Sequence, residues 1–366
     1  MKTLLPIALL ALSIPLRAED IAPPAPKPVV DVVFCLDSTG SMGGLIEGAK
    51  QKIWSIANGI IAQKPTPQVR IGLVSYRDRG DDYITKKFDL TDDIDTVFKN
   101  LQSFQAGGGG DSPESVNQAL KEAVHDMTWT KEKDALKIIF LVGDCPPHMD
   151  YDETKYPQTC QAAAKASIII NTVQCGSDGS TTPIWQEIAK LAEGGYVALE
   201  QSGGMAAVST PYDDDIAKLS KDIGGTVCAY GTWTVQSEVR AKSAVAASAP
   251  ASVAADRAAF NYSSGGKAVQ GRGDLLADLS EGVVKLEEVK EAELPEELKK
   301  MTVDERKAHL EKAQAERTVL NGKLAELNRQ RADFIEKENK RLAAEGKGDS
   351  FDLKVNELIT EQAKRK

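Results

Sequence analysis

Val32-Val33-Phe34-Cys35-Leu36-Asp37-Ser38-Thr39-Gly40-Ser41-Met42 is the stretch on which the fold turns. Its first five residues form an unbroken apolar run, the pattern of a strand buried on both faces, because neither side-chain direction meets water. The run stops at a carboxylate, and hydroxyls follow at alternate positions, Thr39 and Ser41, with a glycine between them. From about Leu45 to Ile61 apolar residues return at helical spacing, at Leu45, Ala49, Ile53, Ile56 and Ile60. A strand that ends in Asp37 and turns through Thr39 and Ser41 into a helix gathers oxygen donors at the carboxyl edge of a sheet. Open α/β sheets bind their ligands at that edge. Such donors suit Mg2+, Ca2+ or Mn2+ better than zinc or copper.

The same alternation continues outward. Buried strands are predicted at 29–36, 69–76, 137–142, 168–174 and 196–200, and an edge strand at 83–88, where Lys86 and Lys87 blunt the exposed side. Helices are predicted at 45–61, 90–104, 114–127, 156–166, 182–192 and 213–223. The order implies an α/β fold, a three-layer, doubly wound, mostly parallel sheet covered by helices on both faces. Two further loops then converge on the first. Gly107 to Gly110 lead into Asp111-Ser112-Pro113-Glu114, where Ser112 suits an N-cap and Pro113 a first helical position. The strand 137–142 ends in Gly143-Asp144-Cys145-Pro146-Pro147.

Asp37-x-Thr39-x-Ser41 resembles the first motif of the von Willebrand factor type A (VWA) family, whose metal-ion-dependent adhesion site (MIDAS) usually reads Asp-x-Ser-x-Ser. Thr39 keeps the hydroxyl. The resemblance covers about residues 29–225, with the three motifs in family order. It implies a VWA/Rossmann-like fold and a cation site built from Asp37, Thr39, Ser41 and Asp144. The family commonly offers a Thr after its middle glycines. Here Asp111 or Ser112 must take that role; Asp111 comes first after the glycines, and Ser112 suits the cap. Ser38, Gly40, Met42, Arg77, Asp78 and Gly110 are candidates for the surrounding ligand face. Mg2+ is the expected cofactor, with Ca2+ and Mn2+ as alternatives. Neutral hydroxyls leave Mg2+ under-neutralised, and an Asp or Glu of a protein partner can displace one of its waters.

Residues 1–18 read as an export signal: Met1-Lys2, an apolar run from Leu4 to Leu12, and Leu16-Arg17-Ala18 at the cleavage site. The expectation is a periplasmic or extracellular protein, with no transmembrane span. Residues 19–28 form a Pro-rich leader. The formal net charge of −9 argues against a nucleic-acid partner, which needs a basic surface. Five cysteines, Cys35, Cys145, Cys160, Cys175 and Cys228, leave at least one without an intramolecular mate, and Cys160 with Cys175 is a candidate pair. Beyond residue 225 the expectation is a strand and flexible-linker region at 226–283, with a strand or two at 226–239 that could extend the sheet and an Ala/Ser/Gly linker at 241–266. A charged helical tail follows at 284–366. There Thr302 to Glu305 form a capping box, and Ala313, Leu320, Leu327 and Phe334 recur every seven residues. Arg317 and Arg331 interrupt the second stripe, so a weak coiled coil with self-association through 302–342 is the expectation.

Rival chemistries are weaker. No Gly-Lys-Ser/Thr follows the glycines, which excludes a P-loop. An aspartyl phosphatase of the haloacid dehalogenase type places a second Asp two residues on, where Thr39 stands. Cys145 with His148 reads as an accidental pairing, and no Gly-x-Ser-x-Gly elbow occurs. The two Arg-Gly-Asp tripeptides, 79–81 and 272–274, read as turn chemistry, although the first can line the ligand face. The expected function is therefore a non-enzymatic, cation-dependent protein-binding module. A metal-dependent phosphohydrolase and a scaffold acting through the helical tail are the alternatives.

Overall fold

A computed structural model describes residues 27–110, 112–202, 208–345 and 351–365. The chain begins with β1 (Val29–Asp37), whose nine residues are all buried. A single 3-10 turn, Gly40–Met42, leads into α1 (Gly43–Ile61). Next come β2 (Gln68–Tyr76), β3 (Thr85–Thr91), α2 (Ile94–Gln102), α3 (Val116–His125), β4 (Leu136–Gly143) and α4 (Tyr156–Lys165). β5 (Ile168–Cys175), α5 (Thr181–Leu191) and β6 (Tyr196–Leu199) complete the sheet. Strand order is β3-β2-β1-β4-β5-β6, parallel throughout except for β3, which runs against β2 at the edge. β1 is thus central, and its carboxyl end lies beside that of β4.

The sheet sorts its side chains by the two-residue period of a strand. Val30, Val32, Phe34 and Leu36 point to the face covered by α1 and α2, where Phe34 and Phe140 stack at 5.5 Å. Val33, Cys35, Val74 and Tyr76 point to the other face, against α3, α4 and α5. Both faces are apolar, which is why β1 reads as an uninterrupted run rather than an alternating one.

After β6 the chain leaves the sheet. α6 (Asp213–Gly224), α7 (Trp233–Ala247), α8 (Ala251–Ser263), α9 (Leu275–Ser280), α10 (Glu296–Lys299) and α11 (Val303–Ala344) build a helical body beside it. α12 (Phe351–Ala363) then returns to the sheet and inserts Phe351, Val355 and Ile359 into the core under α1. Asp352 pairs with Lys52 of α1 at 3.3 Å and accepts from Ser55 Oγ at 2.8 Å. Gln362 and Asn171 of β5 exchange two amide hydrogen bonds. The last helix is therefore part of the α/β layers, separated from them in sequence by the whole helical body.

Several expectations need correction. Residues 226–239 form no strand pair; α7 begins at Trp233. The stretch 241–266 is the end of α7 and all of α8 rather than a flexible linker. Alanine is the best helix former, and buried cations fix these helices in place. Lys242 Nζ lies 2.6 Å from Asp93, and Arg257 makes two bonds to Asp95 at 2.6 and 2.8 Å. Ser112 is not the N-cap of α3, which starts at Val116; the Glu114 N–H is spent on Pro146 O instead. All five cysteines are free, including Cys160 and Cys175.

The tail is helical and the Thr302–Glu305 capping box is present, but its seven-residue stripes face the chain's own body. Leu310, Arg317, Leu324 and Arg331 are the buried residues of α11. Arg317 reaches Asp274 at 2.7 Å and Thr226 at 2.8 Å; Arg331 reaches Asp213 at 2.7 Å and Asp256 at 2.6 Å. The arginines that break a coiled-coil pattern are the anchors of an intramolecular seam. Leu320 and Leu327 pack with Ile216 and Ile223 of α6. No described helix is long and apolar enough to cross a membrane. Residues 1–18, read above as an export signal, lie outside the described residues, as does most of the expected leader.

Candidate metal centre

The parallel register of β1 and β4 sets the carboxyl end of β1, where Asp37 stands, beside that of β4, which leads directly into Asp144. Asp37 is fully buried. Its Oδ1 accepts from the Thr39 N–H at 2.8 Å and from the Thr39 hydroxyl at 2.7 Å, while Thr39 Oγ1 lies 3.3 Å from Ser41 Oγ. Spacing by two residues makes this local network possible, because the turn after the strand folds the hydroxyls back over the carboxylate.

The glycine loop closes the other side. Gly107 N donates to Ser38 O, and Gly40 N donates to Gly108 O. Gly109, at φ +70°, passes so close to Thr39 that a Cβ there would sit 2.9 Å from the threonine Cβ. Asp81, on the turn after β2, accepts from the Gly109 N–H through both oxygens at 3.1 Å, and Arg77 holds Gln105 O at 2.7 Å. Two side chains of the 77–82 turn thus pin the glycine loop over the motif.

The result is a cleft of about 330 Å³ lined by Thr39, Gly40, Ser41, Gly109, Gly110, Glu114, Asp144 and Cys145. Three buried carboxylate oxygens in and under it, Asp37 Oδ2, Asp144 Oδ1 and Glu114 Oε2, have no hydrogen-bond partner. Burial, with the neighbouring Asp144 charge, pushes Asp37 up to about 7 against the pull of its Thr39 hydrogen bonds. Burial, then the fields of Asp37, Asp78 and Asp144, pushes Glu114 up to about 9. Burial likewise pushes the Cys145 thiol up to about 12, which keeps it protonated and a poor nucleophile. Carboxylates that repel one another in low dielectric, with oxygens aimed at a shared cleft, are the pattern a cation relieves.

Of the residues read as ligands, Asp37, Thr39, Ser41 and Asp144 come together. Ser112 does not line the cleft; it is exposed, and its hydroxyl is directed at Cys145. Asp111 lies outside the described residues. Glu114 was missed by the sequence reading, and among the described residues it is the carboxylate that the middle loop delivers. The signal was present in its position just beyond the glycines, masked by the expectation that α3 had already begun. Gln201, whose Nε2 donates to Asp144 Oδ2 at 2.8 Å, was also missed, and no local pattern marks it; Asp81 was noted only within the tripeptide 79–81.

The expected ligand face is partly corrected. Gly40 and Gly110 are exposed at the cleft. Ser38 is buried and bonds Tyr76 O and Ser75 Oγ, and Met42 is buried in the core. Arg77 is buried on the glycine loop, and Asp78 is buried between the Ser115 hydroxyl, the Tyr151 hydroxyl and His148. These four are supports rather than surface. His148 stacks on Tyr151 at 3.8 Å and contacts Asp150. In the tripeptides, Asp81 holds the glycine loop and Asp274 is buried on Arg317.

Among the described residues no group of three or more His, Cys, Asp and Glu is arranged as a metal cage. The donor set that fits here is mixed, with two hydroxyls beside carboxylate oxygens, and it is hard in character. Thr39, Ser41, Asp37, Asp144 and Glu114 are the residues that would hold a divalent cation.

A family profile described as the von Willebrand factor A domain matches residues 31–208. The chain is similar to an ariadne-like RING finger protein of Acanthamoeba polyphaga mimivirus, 29% identical over 123 residues, covering 33% of this chain and 11% of that protein. It is also similar to alpha-protein kinase vwkA of Dictyostelium discoideum, 25% identical over 129 residues, covering 32% of this chain and 19% of the kinase. The chain thus spans under a fifth of the length of either relative. Among solved structures, proximal thread matrix protein 1 from the mussel byssus, with a zinc-occupied MIDAS motif, aligns over 48% of this chain and 42% of its own at 15% identity and a TM-score of 0.37. The profile match starts inside β1 and stops just after the chain has left β6, so it takes in all six strands: through residues 31–208 this chain belongs to the von Willebrand factor A domain family.

Proposed function

We propose that the protein is a cation-dependent protein-binding module, exported to the periplasm or beyond, and that it is not an enzyme. The observation that carries this reading is the trio of buried, unpartnered oxygens, Asp37 Oδ2, Asp144 Oδ1 and Glu114 Oε2, at one cleft beside the hydroxyls of Thr39 and Ser41. Mg2+ is the cation that hard oxygens of this kind favour. When bound, it supplies positive charge at a cleft whose own groups are acidic. The solvent side of that cleft is lined by Gly40, Ser41 and Gly110, which are exposed and offer no competing charge. An Asp or Glu of a protein partner is the occupant we assign to that exposed side, where it would meet the cation.

Titration calorimetry with MgCl2 tests the cation, and capture of envelope proteins with and without EDTA tests the partner. The wild-type chain should bind Mg2+ saturably and lose its captured partner in EDTA. Asp37→Ala should lose both while melting cooperatively. If Asp37→Ala retained Mg2+-dependent capture, the reading would fail.

A further inference from the structure

Asp37 and Asp144 share a feature that their sequence contexts do not. Each has one oxygen tied by protein donors and the other left bare: Asp37 Oδ1 by Thr39, and Asp144 Oδ2 by Gln201 Nε2 at 2.8 Å. Thr39 belongs to the motif. Gln201 does not; it follows β6, two strands away from β4, and its amide crosses the end of β5 to reach Asp144. The path is kept clear by Gly176, just after β5, at φ +83°. A Cβ at that glycine would collide with Gln201 Oε1. The same amide nitrogen lies 3.6 Å from Met42 Sδ, so the side chain is seated on both sides.

We propose that Gln201 is a positioning residue that sets the cation preference of the cleft. By occupying Asp144 Oδ2 with a neutral N–H donor, it limits this carboxylate to one oxygen for a cation. Ca2+ draws on six to eight oxygens and readily takes a carboxylate through both, whereas Mg2+ takes six and accepts single oxygens. With Thr39 limiting Asp37 in the same way, both strand-end carboxylates are held to single contacts, and the larger ion is denied the bidentate mode. Ordering of a ligand by a hydrogen bond from behind it is worth roughly ten- to a hundredfold in metal affinity elsewhere. This inference rests on the cation reading above.

The test is calorimetric titration of the full chain with MgCl2 and, separately, CaCl2, for wild type, Gln201→Leu and Gln201→Glu. Leu removes the donor at similar size; Glu keeps the shape and polarity and replaces the donor with a like charge. The wild type should prefer Mg2+. Gln201→Leu should lose about tenfold in Mg2+ affinity and little in Ca2+ affinity, so that the Mg2+/Ca2+ ratio moves about tenfold toward Ca2+. Gln201→Glu should move the ratio the same way. A purely structural role would lower both affinities together along with the apo melting temperature. An unchanged ratio in whichever variant folds overturns the proposal and leaves the cation site standing. A wild type that binds neither ion overturns both.

Discussion

Two regions of this molecule bury carboxylates, and they treat them in opposite ways. In the seam within the helical body and where it meets α2, the buried acids meet cations: Asp95 meets Arg257, Asp274 meets Arg317, and Asp213 meets Arg331. In the cleft at the carboxyl edge, Asp37 and Glu114 are just as buried, yet no Lys or Arg lines the cleft around them. Taking a carboxylate out of water costs several kcal/mol unless a charge partner answers it. The seam meets that cost from within the chain. The cleft leaves it open, and the difference marks the cleft as the place where a cation comes from outside.

The largest effect expected on breaking this comparison comes from the seam. Arg317 is buried and gives three hydrogen bonds, one to Asp274 and two to Thr226. Arg317→Met should leave Asp274 charged and unanswered, at a cost of about 3–5 kcal/mol, read as a lower denaturant midpoint. Arg317→Met with Asp274→Asn should recover much of that loss. The cleft responds in the reverse sense, because its missing charge can be added. Mg2+ at a hundred times its dissociation constant should stabilise the wild type by about 2.7 kcal/mol, measured as a rise in melting temperature that EDTA reverses. A wild-type melt insensitive to Mg2+ would erase the distinction between the two regions.

How much of this was legible beforehand follows the same division. The sheet could be read because its strands are buried on both faces, so that Val32 to Leu36 and Ile138 to Val142 carry the signal in consecutive residues. Asp37, Thr39 and Ser41 could be read because their network is local, spanning five residues. The helical body could not. Arg257, Arg317 and Arg331 look like solvated or interrupting charges along the chain, and their meaning lies in partners 43 to 162 residues away. The helix expected at 351–366 is present as α12, but its docking could not be read, because its apolar face fits a sheet reached only after the entire helical body. Glu114 was hidden by local chemistry that misled. Ser112-Pro113 suits a helix start, but the backbone there pairs with Pro146 and Pro147 first, and that detour turns Glu114 toward the cleft.

The smallest expected effect is also the sharpest test of the difference, because it fixes a sign that depends on pH. Without a cation, Asp37 and Glu114 are held by burial at about 7 and about 9, above the ordinary values of 3.8 and 4.5. A raised folded-state value means that the folded protein holds its proton where the unfolded chain has lost it. The resulting stabilisation is fully present below about pH 4 and is lost as pH rises through 7 and then 9. The chelated protein should therefore melt progressively lower from pH 5 to pH 9. Mg2+ competes with those same protons, so its affinity should rise over that range and flatten the decline. Asp37→Asn removes one proton-binding site while leaving an oxygen for Thr39. In chelator at pH 8 it should melt higher than wild type by the equivalent of at least about 1 kcal/mol, and at pH 3 the two should coincide, since Asp37 of the wild type is then neutral in the folded and the unfolded chain alike. A melting advantage of equal size at both pH values would mean that Asn simply packs better. The buried charge at Asp37 would then not be what separates the cleft from the seam.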